Sequence, residues 1–188
     1  MEIKENGAWL QNDDGYSGHM YVQSMSNILN RIVLENKANL VYDFGCGFGD
    51  YTKNISRLGV ETIGFEAYPD KRNYDNIQQA DLSEPLLLDR KADIAISLEV
   101  GEHIPAELED IFIDNICNNA KDIVILSWAV EGQSGDGHIN CRNNDHIIAQ
   151  MSKRGFVFDE SILEIRKEAD EMLWFEDSLM LFRKATES

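Results

Sequence analysis

Two rhythms of apolar positions alternate along the chain. Short, nearly continuous apolar runs of strand length occupy residues 40–44, 60–66, 76–80, 92–98, 121–128, 156–158 and 178–183. Between them apolar residues return at helical spacing: Tyr21, Val22, Met25, Ile28, Leu29, Ile32 and Val33 up to about Asn36, then Tyr51, Ile55 and Leu58, then Leu108, Ile111, Phe112 and Ile116, then Ile147, Ile148 and Met151. Continuous apolar strands are covered on both faces, so strands alternating with amphipathic helices predict a three-layer α/β/α sandwich around a mostly parallel sheet. Ser17 is a candidate N-cap for the first helix, Pro105 suits the first position of the third, and Gly155 ends the fourth behind Lys153 and Arg154. Residues 1–16 read as an irregular lead-in or lid, and 160–171 as a solvated helix or loop.

The most informative join is the stretch LVYDFGCGFGD at residues 40–50. Bulky β-favouring residues give way to Gly45, Gly47 and Gly49, after which Asp50 opens a helix that Gly59 stops. Glycine at alternate positions frees the backbone for positive φ and lets a ligand approach main-chain N–H groups. A dinucleotide loop wants GxGxxG, and here the third glycine comes one residue early. A phosphate loop of the GxxxxGK type is absent from the sequence. The next strand ends in Glu66, near the spacing of about 20 residues at which βαβ nucleotide sites place a ribose-binding carboxylate.

A second cluster of chemistry follows the fourth strand. Glu99-Val100-Gly101-Glu102-His103 stands at a carboxyl end, where open α/β sheets bind ligands. Two carboxylates and an imidazole there suit magnesium or manganese, and His138 from the loop after the fifth strand can complete the set. That loop, residues 129–140, is glycine-rich and carries Glu131, Gln133, Asp136, His138 and Asn140, so it belongs over the acceptor. His138 is the first candidate for a general base, with His103 beside it, because an imidazole takes a hydroxyl proton under mild conditions.

Composition narrows the partners. The 188 residues fit one domain, 1–188, with lead-in and first helix up to residue 38. The formal net charge of −17 argues against nucleic acid, since a polyanion gains nothing from releasing counterions there, and it accords with a cationic ligand. There is no apolar run of membrane length and no signal-peptide pattern. Cys46, Cys117 and Cys141 are odd in number and form no CxxC pair, which points to a reducing, cytoplasmic setting.

DxGxGxG from Asp43, followed by Glu66 and the fourth-strand segment, resembles the class I S-adenosylmethionine-dependent methyltransferases over roughly residues 39–184. The resemblance implies a Rossmann-like seven-stranded sheet in the order 3-2-1-4-5-7-6 with one antiparallel strand. It implies that Gly45, Gly47 and Gly49 hold the methionine end, Glu66 the ribose, and Asp81 with Leu82 the adenine, that Asp43 and Glu99 also bind the cofactor, and that Glu99, Glu102, His103 and His138 face the acceptor. ExxEH segments similar to the one ending at His103 bind a metal in some O-methyltransferases, through residues matching Glu99, Glu102 and His103. The expected activity is O-methylation of a small-molecule acceptor. Two rivals are a cofactor-binding partner domain without transferase activity and a nicotinamide-dependent oxidoreductase, the latter disfavoured by the glycine spacing.

Overall fold

The computed structural model describes residues 2–10, 20–69 and 75–186 of the chain. Its strands are β1 (Glu2–Ile3), β2 (Trp9–Leu10), β3 (Leu40–Phe44), β4 (Glu61–Glu66), β5 (Ile77–Gln79), β6 (Ala92–Ser97), β7 (Ala120–Leu126), β8 (Phe156–Phe158) and β9 (Met180–Lys184). Its helices are α1 (Gln23–Glu35), α2 (Asp50–Ser56), α3 (Glu109–Asn119), α4 (Asn144–Lys153), α5 (Ile162–Ile165) and α6 (Trp174–Ser178).

Seven strands form one sheet in the order β5-β4-β3-β6-β7-β9-β8. Counted from β3, that is the expected 3-2-1-4-5-7-6. Strand β9 runs antiparallel to both β7 and β8, while β5, β4, β3, β6 and β7 are mutually parallel. Successive side chains on a strand face opposite ways. Accordingly Tyr42, Phe44, Val124, Leu126 and Phe182 pack with Phe112, Ile116, Ile147 and Met151 of α3 and α4. Val41, Ile94, Ile96, Ile123, Ile125 and Leu181 pack on the other face with Met25, Ile28, Leu29, Ile32 and Ile55 of α1 and α2. All five residues of β3 are buried, as a central parallel strand requires.

Several boundaries differ from the sequence reading. The first helix begins at Gln23, with Tyr21 and Val22 outside it; Ser17 lies outside the described residues. Distant groups satisfy its first N–H groups: Val22 N–H donates to the Tyr51 hydroxyl (3.1 Å) and Ser24 N–H to the Glu171 carboxylate (2.5 Å). Part of the lead-in is ordered, because β1 and β2 pair as a small antiparallel hairpin. Pro105 precedes a 3-10 turn, Ala106–Leu108, and α3 starts only at Glu109, so Ile113 is buried where Ile111 is half-buried. The charged run holds α5 and a 3-10 turn, Arg166–Glu168, anchored by buried Ile162 and Ala169. Helix α6 was not foreseen, and the last strand accordingly begins at Met180.

Candidate functional site

A cavity of about 510 Å³ opens over the carboxyl ends of β3, β4 and β6, lined among others by Asp43, Gly45, Gly47, Glu66, Asp81 and Leu82. Gly45, Gly47 and Gly49 all hold positive φ, at 76°, 55° and 76°. At Gly45 a second constraint acts: an added Cβ would stand 2.4 Å from a methyl of Val100, so the absence of a side chain lets the loops after β3 and β6 meet. Gly49 does not line the cavity; it is the left-handed N-cap from which α2 starts.

Glu66 faces this loop directly. Gly47 N–H donates to one carboxylate oxygen (3.0 Å) and Ala67 N–H to the other (2.9 Å). Each oxygen keeps a second lone pair, which is what two adjacent ribose hydroxyl donors need. Asp43 lies beneath the loop, only 4 % exposed, and accepts the Thr52 hydroxyl (2.7 Å). Burial pushes its carboxyl up to about 7, against the Thr52 hydrogen bond and with the nearby Glu66 charge adding to the rise. After β5, Asp81 accepts Ser83 N–H (3.0 Å) and the Ser83 hydroxyl (2.6 Å), and also the Asn6 amide (2.7 Å) from the turn between β1 and β2.

The other end of the cavity is assembled from distant segments. Gly101 admits the buried ring of Trp128, which would lie 2.1 Å from a Cβ there, and Trp128 Nε1–H donates to the Asn140 carbonyl (2.6 Å). Ile139 and Asn140 N–H both donate to the Glu102 carbonyl, at 3.0 and 2.9 Å. These bonds bring His138 beside Glu102 and His103, and the ring centroids of His103 and His138 are 5.1 Å apart. Both imidazoles donate Nδ1–H to backbone carbonyls, His103 to Gly137 (3.0 Å) and His138 to Gln133 (3.2 Å). The carbonyl can only accept, so in the neutral imidazole the lone pair lies on Nε2. Gly135 is needed where His138 passes, since a Cβ would meet Nε2 at 2.2 Å.

Donor atoms of Glu102, His103 and His138 all lie within 4.8 Å of one another. Glu102 is 0 % exposed and neither of its carboxylate oxygens has a hydrogen-bond partner; His138 Nε2 stands 4.0 Å from one of them. Burial, with the Glu99 charge adding to it, pushes Glu102 well above the carboxylate range, and burial raises Glu99 as well. Glu99 contributes no donor atom to the three-residue group; its carboxylate turns to Gln133 Nε2 and the Ser178 hydroxyl, each at 3.4 Å.

Sequence reasoning missed the latch that holds this end. Buried Glu109 accepts from Asn140 (3.0 Å), Arg142 (2.9 Å) and His146 (2.5 Å). Burial works against that carboxylate, but the three hydrogen bonds outweigh it and hold Glu109 below its ordinary range. A charged residue in the first turn of a helix gives no local sign of such partners. Trp174 and Phe175 of α6 also reach the cavity, and a lone aromatic pair gave no signal either.

A family model described as a methyltransferase domain matches residues 16–161. The chain belongs to that family. It is a class I S-adenosylmethionine-dependent methyltransferase, and S-adenosylmethionine is its cofactor. The fold of this methyltransferase is shared with magnesium protoporphyrin IX methyltransferase from Synechocystis PCC 6803 bound to SAH (TM-score 0.65, 16 % identity, 90 % of each chain). The sugar N-methyltransferase KedS8 from Streptoalloteichus sp ATCC 53650 is similar over 95 % of this chain and 99 % of its own (TM-score 0.66, 12 % identity). An O-methyltransferase family protein from Burkholderia thailandensis is similar over 88 % of this chain and 57 % of its own (TM-score 0.64, 11 % identity). No curated protein sequence matches the chain. Among the described residues no helix is long and apolar enough to cross a membrane.

Proposed function

We propose that this methyltransferase methylates a hydroxyl oxygen of a small-molecule acceptor held at the Glu102–His103–His138 end of the cavity, with a magnesium or manganese ion on those three residues. The observation that carries this reading is Glu102, fully buried with both oxygens unpartnered beside two imidazoles oriented through Nδ1 to backbone carbonyls. An uncompensated buried carboxylate is costly, and a bound cation relieves it. Imidazoles oriented through Nδ1–H to carbonyls are the usual arrangement of histidine ligands. A divalent cation there supplies charge that lowers the acidity barrier of a coordinated hydroxyl.

S-adenosylmethionine, when bound, supplies a methyl group on a positively charged sulfur that departs readily. The chain's own residues do the aligning. Gly45 and Gly47 present backbone to the methionine end, under which Asp43 is buried, and Gly49 sets the start of α2. Glu66 accepts the ribose hydroxyls, while Asp81 accepts the adenine amino group and Leu82 packs on its face. Glu99 borders both ligands. Small-molecule acceptors accord with the porphyrin and sugar named for two structural neighbours and with the net charge of −17. Three free cysteines accord with the cytoplasm.

A second reading rests on His138 alone: with its proton on Nδ1 and Glu102 4.0 Å from Nε2, it is oriented as a general base. Manganese titration of the SAH-loaded protein followed by electron paramagnetic resonance separates the two. The first reading expects one bound ion, lost in Glu102→Gln and His103→Ala, and methyl transfer abolished by chelator and restored by metal. Full activity in chelator with no bound manganese removes the ion and leaves the base.

A further inference from the structure

The hairpin of β1 and β2 forms part of the cavity wall, through Asn6, Gly7, Ala8 and Trp9. Gly7, at φ 84°, packs on the backbone of His103, where a Cβ would collide with the carbonyl, and the Trp9 ring stands edge-on to the His103 ring at 4.9 Å. A Cβ on Gly137 would likewise meet the Ile3 side chain. These contacts hold the turn that carries Asn6 in place independently of the bond Asn6 makes to Asp81.

The Asn6 amide is oriented by its partners. Its Oδ1 accepts Ala8 N–H (3.2 Å), so Nδ2 is the atom that faces Asp81, donating to Oδ2 (2.7 Å). The other Asp81 oxygen already accepts two donors from Ser83. Oδ2 therefore keeps one lone pair, and Asn6 Nδ2 keeps a second hydrogen that none of the described residues accepts. A hydrogen-bond acceptor and a donor thus lie side by side on the cavity wall. The amino edge of adenine has the matching order, because the amino group donates and the neighbouring ring nitrogen N1 accepts. Hypoxanthine reverses both, with an oxygen in place of the amino group and a proton on N1.

We infer that Asn6 is a specificity-determining residue for the cofactor: its amide donates to adenine N1 while Asp81 accepts the amino group. The hairpin and the segment after β5 then read the base together. This rests on the reading of Asp81 as the adenine acceptor. A deaminated cofactor meets two mismatches, oxygen against carboxylate and N–H against N–H, and a site built of hydrogen-bonding groups rejects such an analogue strongly.

The test is calorimetry of the full chain with SAH and with S-inosylhomocysteine, its deaminated counterpart. The unaltered protein is expected to favour SAH by about 100-fold, about tenfold for each mismatch. Asn6→Ala should lower SAH affinity about tenfold and shrink the preference to about tenfold. If the substitution merely loosens the hairpin, both ligands weaken alike and their ratio stays where it was, which overturns the inference. Tighter SAH binding by Asn6→Ala overturns it as well, since Asn6 would then be competing with adenine for Asp81. Asp81→Ala separates this inference from the reading beneath it. Weaker SAH binding there, with an unchanged ratio in Asn6→Ala, sinks the role of Asn6 alone. SAH binding unaffected by Asp81→Ala removes the adenine reading and the inference together.

Discussion

The two ends of the cavity are built by different means. At the end proposed for the cofactor, the loop after β3 and the end of β4 lie side by side, and the N–H groups of Gly47 and Ala67 orient the Glu66 carboxylate. At the end proposed for the acceptor, Glu99, Glu102, His103 and His138 come from the segments after β6 and β7, joined among others through Trp128, Asn140 and Glu109. One end is shaped by backbone conformation, the other by buried side chains held in a scaffolded corner. The first end is therefore brittle toward added atoms, and the second toward lost charges.

The sharpest way to break that contrast is at Gly45. Gly45→Val adds side-chain atoms against Val100 in a left-handed backbone, so SAH affinity should fall by roughly 100-fold, about 3 kcal/mol, in calorimetry. A variant that binds SAH normally would show that the loop is not rigid.

Asp43 gives the next largest effect. Its native carboxyl sits at about 7 against an unfolded value near 3.8, so the folded protein binds the extra proton. Stability is then undiminished below the lower value and is lost as pH rises through the window up to about 7, by on the order of 4 kcal/mol. Asp43→Asn should flatten this part of the curve of denaturant stability against pH. An unchanged slope would refute the assignment.

At the acceptor end the signs separate. Glu102→Gln replaces a buried, unpartnered carboxyl with an amide of the same shape, so the thermal midpoint should change little, while methyl transfer should fall by about 100-fold. A loss of stability equal to the loss of activity would make Glu102 structural only. The smallest effect belongs to the hairpin of β1 and β2. Asn6→Ala removes an exposed hydrogen bond to Asp81 and the one its Oδ1 accepts from Ala8 N–H, and should change folding stability by about 1 kcal/mol, read by denaturant unfolding.

Much of this was legible in the linear chain because its causes are local. Alternating faces on strands and helical spacing between them identify each of the seven sheet strands, and glycines at 45, 47 and 49 announce a turn that only positive φ can make. Where the sequence reading slipped, a remote partner set the boundary. Tyr51 and Glu171 meet the first N–H groups of α1, so its start at Gln23 has no mark near Ser17. The buried ring of Trp128 dictates Gly101, and neither residue points to the other in sequence.

What the sequence determined by itself, then, is the order of the sheet strands and the glycine turn after β3, since hydrophobic burial and backbone sterics act within a few residues. Only the tertiary structure decided which side chains share the acceptor corner: that Glu99 stands apart from Glu102, His103 and His138, and that Glu109 locks the loop carrying His138. Those relations depend on hydrogen bonds across more than thirty residues of chain, and their geometry exists only once the sheet has brought the segments together.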